Sequence, residues 1–153
     1  MKGIIKKVGL VLVIALVVMQ FIRPDKNESG YESVAFFEKE TQPTAELQTI
    51  LKDKCYDCHS NQTVYPWYSN IAPVSYWISH HVEEGKEHFN VSDWDSYSVK
   101  KKDHKLEELV EEVEEGEMPL DSYTWLHGNL TEDEKNVLID WVNRVRKQYS
   151  VSQ

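Results

Sequence analysis

Hydrophobic positions along this chain recur with the period of a helix in four segments, and nowhere with the strict alternation of a strand. Leu47, Ile50 and Leu51 fall at i, i+3 and i+4 and predict a helix from about Thr44 to Lys54, with Pro43 at its start. Val74, Trp77, Ile78, His81 and Val82 predict a second helix from about Pro73, ending by Gly85. Leu106, Leu109, Val110 and Val113 form one face of a third, about Lys100 to Glu115, with Gly116 as its stop. Its opposite face is glutamate-rich and reads as solvated surface. The fourth opens at Thr131, with Glu134 three residues on as a capping box. It buries Val137, Leu138, Trp141, Val142 and Val145 and ends near Tyr149. The expected fold is therefore all-α.

The first 23 residues follow a different pattern. Lys2, Lys6 and Lys7 precede an apolar run, Val8 to Ile22, broken only by Gly9 and Gln20 and stopped by Arg23-Pro24-Asp25-Lys26. Fifteen helical residues cover about 22 Å, short of a hydrocarbon core of about 30 Å unless flanking residues extend it. No small-residue cleavage pair and no lipid-attachment cysteine follows. Residues 1–23 are expected to be an uncleaved signal-anchor with a cytoplasmic N-terminus, the rest being exported to the periplasmic or extracytoplasmic side. Residues 24–42 read as linker, and 43–150 as one domain of ordinary size.

Charge sharpens this division. The chain carries 17 basic and 26 acidic residues, and four of the basic ones lie in the first 23, where no acid occurs. The remainder therefore has a formal charge of −13, which argues against nucleic acid as a partner. Such a surface would steer a redox partner bearing a basic docking patch, although solubility alone explains most of these charges.

Chemistry enters with Cys55-Tyr56-Asp57-Cys58-His59, a C-x-x-C-H pentapeptide. The spacing is that of c-type haem attachment: two thiols form thioethers to one porphyrin, and His59 offers its imidazole to the iron. Cys55 and Cys58 are the only cysteines, so a zinc ribbon lacks its second ligand pair. A thioredoxin-like redox pair would need a preceding strand, and none is legible. For the sixth iron position the candidate is Met118, in Gly116-Glu117-Met118-Pro119, because Met1 and Met19 belong to the N-terminal segment. Met/His ligation raises the reduction potential. His80 and His81 are alternatives, and an open sixth site is a third. Tyr65 and Trp67, with Tyr68 and Trp125, are candidate haem-contacting residues through their rings and polar tips. No acid/base pair or activated nucleophile is evident, so no catalytic residue is assigned.

With these motifs placed, the chain resembles the class I cytochrome c pattern of helix, C-x-x-C-H, intervening helices, Met-Pro loop and C-terminal helix. More closely it resembles the bacterial haem-binding domain family, through Cys55–His59 running into Ser60–Pro73, through His81-Val82-Glu83-Glu84-Gly85, through Asn90–Trp94 and through Gly116–Pro119. The resemblance spans roughly Tyr31 to Tyr149. It implies a small exported domain wrapped around one haem, often behind an N-terminal anchor, and it implies no settled reaction or partner. The aromatic loop after His59 and the Asn90–Val99 insertion depart from minimal cytochromes. The expectation is a membrane-tethered mono-haem c-type cytochrome in electron transfer, binding one covalent haem c through Cys55 and Cys58, with His59 and Met118 on the iron. The alternatives are a haem enzyme or gas or redox sensor with an open or His-ligated sixth position, and a non-haem thiol or zinc module.

Overall fold

A computed structural model describes residues 1–151, and among them regular structure is helical: α1 (Lys2–Met19), α2 (Ala35–Thr41), α3 (Ala45–Lys54), α4 (Tyr56–His59), α5 (Val74–His88), α6 (Val99–Glu115), α7 (Asp121–His127) and α8 (Glu132–Val151). Three 3-10 helices, Tyr31–Val34, Trp67–Asn70 and Val91–Ser96, join them. The all-α expectation holds. The only β pairing among the described residues is an isolated bridge between Glu28 and Gln62.

The four expected helices are present, and their caps follow from their sequences. Thr44 accepts a hydrogen bond from the Leu47 amide and starts α3. Thr131 and Glu134 make the reciprocal capping box of α8, with the Glu134 amide on the Thr131 hydroxyl and the Glu134 carboxylate on the Thr131 amide at 2.8 Å. Gly116 ends α6 in the left-handed region, φ 81°, where a side chain would be strained. One boundary differs. The second helix does not end by Gly85 but continues to His88, because Gly85 is chosen for a close approach rather than for a stop. Its expected apolar stripe is also only partly inward: Val82 is buried, whereas Trp77 is half-exposed.

The segment expected as linker contributes to the core. Residues 24–30 form no helix, but 31–41 form a 3-10 turn and α2, which bury Val34 and Phe37. Phe37 is the hub of an aromatic cluster, edge-on to Trp94 at 5.0 Å, Trp141 at 6.0 Å and Phe89 at 6.5 Å. The Trp141 indole N–H donates to the Thr41 carbonyl at 2.9 Å and ties α8 to the end of α2. Around it pack Leu47, Leu51, Leu106, Leu138 and Val142, from α3, α6 and α8. Two apolar neighbours, Phe37 and Trp94, thus come from stretches whose polar composition hides them.

α1 stands apart. None of its residues is buried, and its apolar side chains are exposed on every side. Among the described residues no helix is long and apolar enough to cross a membrane, so the expected anchor has no spanning helix behind it. The three lysines in the first two turns of α1 interrupt its apolar length.

Candidate functional site

The site begins where α3 gives way to α4. Cys55 caps α3, its amide bonding the Leu51 carbonyl at 3.0 Å, and the next residues wind one further turn. The His59 amide closes that turn on the Cys55 carbonyl at 3.0 Å. Within a single turn both thiols and the imidazole are brought to one cavity. The turn is locked by its own polar residues. Buried Ser60 donates to the Tyr56 carbonyl at 2.8 Å, and Thr63 donates to the Asp57 carbonyl at 2.6 Å. The Asp57 carboxylate accepts the Val64 amide at 2.7 Å and the Tyr123 hydroxyl at 2.8 Å.

α5 lies across α4, and its approach is set by Gly85. A Cβ at that position would fall 2.7 Å from the Cys58 carbonyl oxygen and 3.0 Å from the Cys58 Cβ. The close packing delivers two backbone carbonyls to the imidazole: His59 Nδ1 lies 3.0 Å from Gly85 O and 2.9 Å from Phe89 O. A carbonyl can only accept, so Nδ1 carries the proton and Nε2 is the lone-pair nitrogen. Burial lowers the His59 pKa and keeps the ring neutral, against the opposing pull of the two carbonyls. A neutral imidazole tethered at Nδ1 is the arrangement that metal-binding histidines adopt.

The cavity faced by these groups holds about 590 Å³, within the range of roughly 300–1,000 Å³ usual for small-molecule sites. Leu109, Val113, Leu130 and Leu138 give it apolar walls. Met118 lines it too, so the cavity brings together residues some sixty positions apart in sequence. The amides of Glu117 and Met118 both bond the Glu112 carbonyl, at 3.0 and 3.1 Å, which fixes the thioether-bearing residue directly after α6. Cys55 and Cys58 are not joined in a disulfide. Burial, reinforced for Cys55 by Cys58 and for Cys58 by Asp57, pushes both thiols up to about 12, so they stand as neutral thiols.

The other expected contacts sort themselves by position. His81 lines the cavity, whereas His80 points its imidazole toward Glu84 on the exposed side of α5. Tyr65 and Trp67 do not line it. The Tyr65 hydroxyl accepts the Asn27 amide at 2.9 Å and so fastens the 24–30 stretch, while Trp67 is 77% exposed. Tyr68 packs edge-on against Trp67, and Trp125 is exposed on α7. Residues that the sequence did not single out for the site do contribute: Gly85 and Phe89 through their carbonyls, and Tyr123 through its reach from α7 to Asp57. Asp57 lies inside the pentapeptide and had a positional signal; Tyr123 had none.

A helical domain whose cavity gathers two unpaired thiols, a tethered neutral imidazole and a thioether between apolar walls is a protein built to hold a metal-bearing planar cofactor. This donor set fits haem. The chain belongs to the haem-binding domain family: the family's model, described as "Haem-binding domain", matches residues 14–144. It is therefore a haem-binding protein. No curated protein and no solved structure matches the chain.

Proposed function

We propose that this chain is a mono-haem c-type cytochrome that carries electrons, with haem held covalently by Cys55 and Cys58 and ligated by His59 and Met118. The observation that carries the reading is the double tether of His59 Nδ1 to Gly85 and Phe89 on the cavity that Met118 also lines. Bound haem supplies one-electron exchange at its iron. Cys55 and Cys58 would hold the haem through thioethers, each S–H adding across one vinyl group so that a C–S and a C–H bond replace the S–H and π bonds and nothing leaves. His59 presents Nε2, and its two carbonyl partners resist reorientation of the ring. Met118 offers a soft thioether that favours the reduced metal and so raises the potential. Two such fixed ligands leave little to rearrange when an electron moves, which suits transfer rather than substrate binding.

Location and partner belong to the same reading. Haem attachment of this kind goes with export, and α1 with its exposed apolar surface is embedded in a lipid bilayer, holding the domain at the extracytoplasmic face. Glu84, Glu108, Glu111 and Glu112 lie around the cavity and outnumber Lys54 and Lys105, which also line it. That rim suits a redox protein with a basic docking patch, whose association would weaken as salt rises.

A second reading is favoured by one observation, that His81 also lines the cavity. The test is the optical spectrum of the haem-loaded protein, oxidised, in the wild type and in Met118→Ala. A sulfur-to-iron charge-transfer band that vanishes in Met118→Ala is the expected outcome. A low-spin spectrum without that band, lost instead in His81→Ala, replaces Met118 by His81. A high-spin wild-type spectrum that takes up carbon monoxide rapidly on reduction refutes the electron-carrier assignment and points to an enzyme or sensor.

A further inference from the structure

We infer that residues 67–77, together with Phe21 and Ile22, form an aromatic platform that seats the haem domain in the headgroup layer of a lipid bilayer. The inference rests on the lipid reading of α1 and goes beyond it, because a helical tether alone would leave the domain free to tumble above the surface.

Three observations carry it. First, beyond Lys2, Lys6 and Lys7, α1 is apolar on all sides and exposed on all sides, from Val8 at 53% to Val18 at 50%. A helix without a polar face is at rest only in an apolar surrounding, and no protein element covers this one. Second, its end is clamped to the domain. Gln20 Nε2 donates to the Ala72 carbonyl at 3.1 Å, and the Ala72 amide donates to Gln20 Oε1 at 3.0 Å. The Tyr76 hydroxyl donates to the Ile22 carbonyl. A reciprocal amide pair plus a third bond fixes the direction in which α1 leaves the domain. Third, the segment that makes the clamp carries a group of exposed aromatic and apolar side chains, Trp67 at 77%, Trp77 at 47% and Ile71 at 45%, beside Phe21 at 85% and Ile22 at 61%.

A protein interior has no use for such a set, and water gains nothing from it. Trp and Tyr collect at the bilayer interface because a ring can lie among the acyl ends while its N–H or O–H stays wet. Arg23 and Lys26 follow directly and are exposed, placed to meet headgroup phosphates. The occupant that accounts for the all-round apolar helix, the aromatic base and the adjoining cations together is lipid. A protein partner would account for the aromatic base but not for the uncovered helix above it.

The structure supplies its own control. Trp125 on α7 is as exposed as Trp67, at 79%, but lies outside this region. The experiment uses the full haem-loaded chain in liposomes of phosphatidylethanolamine and phosphatidylglycerol, with a benzophenone amino acid in place of Trp67, Trp77 or Trp125. Flotation reports whether α1 holds the protein to lipid, and irradiation reports which position forms a phospholipid adduct. The expected result is flotation of all three, with adducts at 67 and 77 several-fold above those at 125. Flotation with equal or negligible adducts at the three positions overturns the platform and leaves the lipid-embedded helix standing. Absence of flotation overturns both.

Discussion

Replacing Gly85 by Ala separates two physical effects of opposite sign. Gly85 is three residues from the end of a 15-residue helix with ordinary helical geometry. Helix propensity alone predicts that Gly85→Ala stabilises the protein by roughly 1 kcal/mol. Packing predicts the reverse. The new methyl would sit 2.7 Å from the Cys58 carbonyl oxygen, 3.0 Å from its Cβ and 3.1 Å from its carbonyl carbon. Two of these three atoms are backbone and cannot swing aside, so α5 must lift from α4 by several tenths of an ångström. Overpacking of this kind costs about 1–3 kcal/mol. The lift also stretches the hydrogen bonds from His59 to Gly85 O and Phe89 O, worth roughly 1 kcal/mol each. Set against the propensity gain, the net expectation is a loss of about 2 kcal/mol. Urea denaturation of haem-loaded protein measures it, and a weakened hold on the iron's fifth ligand should accompany it in the spectrum. Gly116→Ala is the stability comparison: nothing lies within 4 Å of that position, so it should cost only the strain of φ 81°, roughly 1–2 kcal/mol. If Gly85→Ala instead stabilises the protein, the close α4–α5 contact is not what positions His59, and the argument for the tethered imidazole fails with it.

Tyr123→Phe removes the hydroxyl that links α7 to the Asp57 carboxylate and to the Asp53 carbonyl at 2.9 Å; it should cost about 1.5 kcal/mol by thermal denaturation. Lys102→Met should cost about 2 kcal/mol, less than the roughly 3–5 of a fully buried pair because the Glu40 side chain is 28% exposed. The same pair sets an acid dependence. Burial raises the Glu40 pKa, but hydrogen bonds from Lys102, Tyr149 and Trp94 outweigh it and hold the carboxyl below its ordinary value. The stability Glu40 contributes is therefore complete above the ordinary carboxylate range and is lost as pH falls through the depressed folded value. In Glu40→Gln the unfolding free energy should fall less steeply as pH drops below the ordinary carboxylate range than in wild type; an unchanged slope would mean the ion pair does not report on folding.

Local signals carried the helices because each has a complete local description. A cap residue, a 3.6-residue stripe and a terminator are all encoded within one segment, and Thr44, Thr131 with Glu134, and Gly116 behave as their chemistry requires. α2 has no such description. Ala35–Thr41 is only seven residues long, its one fully buried large side chain is Phe37, and the acidic residues Glu38 and Glu40 make it look solvated. It is helical because Phe37 finds three aromatic rings contributed from sequence positions 89, 94 and 141, and because Glu40 finds Lys102. Neither fact is present in the segment itself. Trp94 lies in the stretch that reads as an insertion relative to minimal cytochromes, and its burial against Phe37 is likewise not written in that stretch.

The candidate site divides along the same line, and the division explains which residues a sequence can reveal. Cys55, Cys58 and His59 are legible because one helical turn suffices to bring them together. Met118 is legible because its surroundings, a glycine-stopped helix followed by a methionine, are again local. The groups that tether the His59 ring are neither local nor side chains. Gly85 contributes the absence of a Cβ and a carbonyl oxygen, and Phe89 contributes another carbonyl. A carbonyl is carried by every residue, so nothing in the identity of residue 85 or 89 announces that role. The aromatic side chains of the Ser60–Ala72 loop drew attention because they are chemically conspicuous beside the motif, but Trp67 turns outward and Tyr65 fastens the Asn27 backbone instead. An aromatic residue next to a haem motif can be packed against haem or set out toward lipid, and only the direction of the loop relative to α4 and α1 decides. Here the Gln20–Ala72 clamp ties the end of that loop to the residue that follows α1.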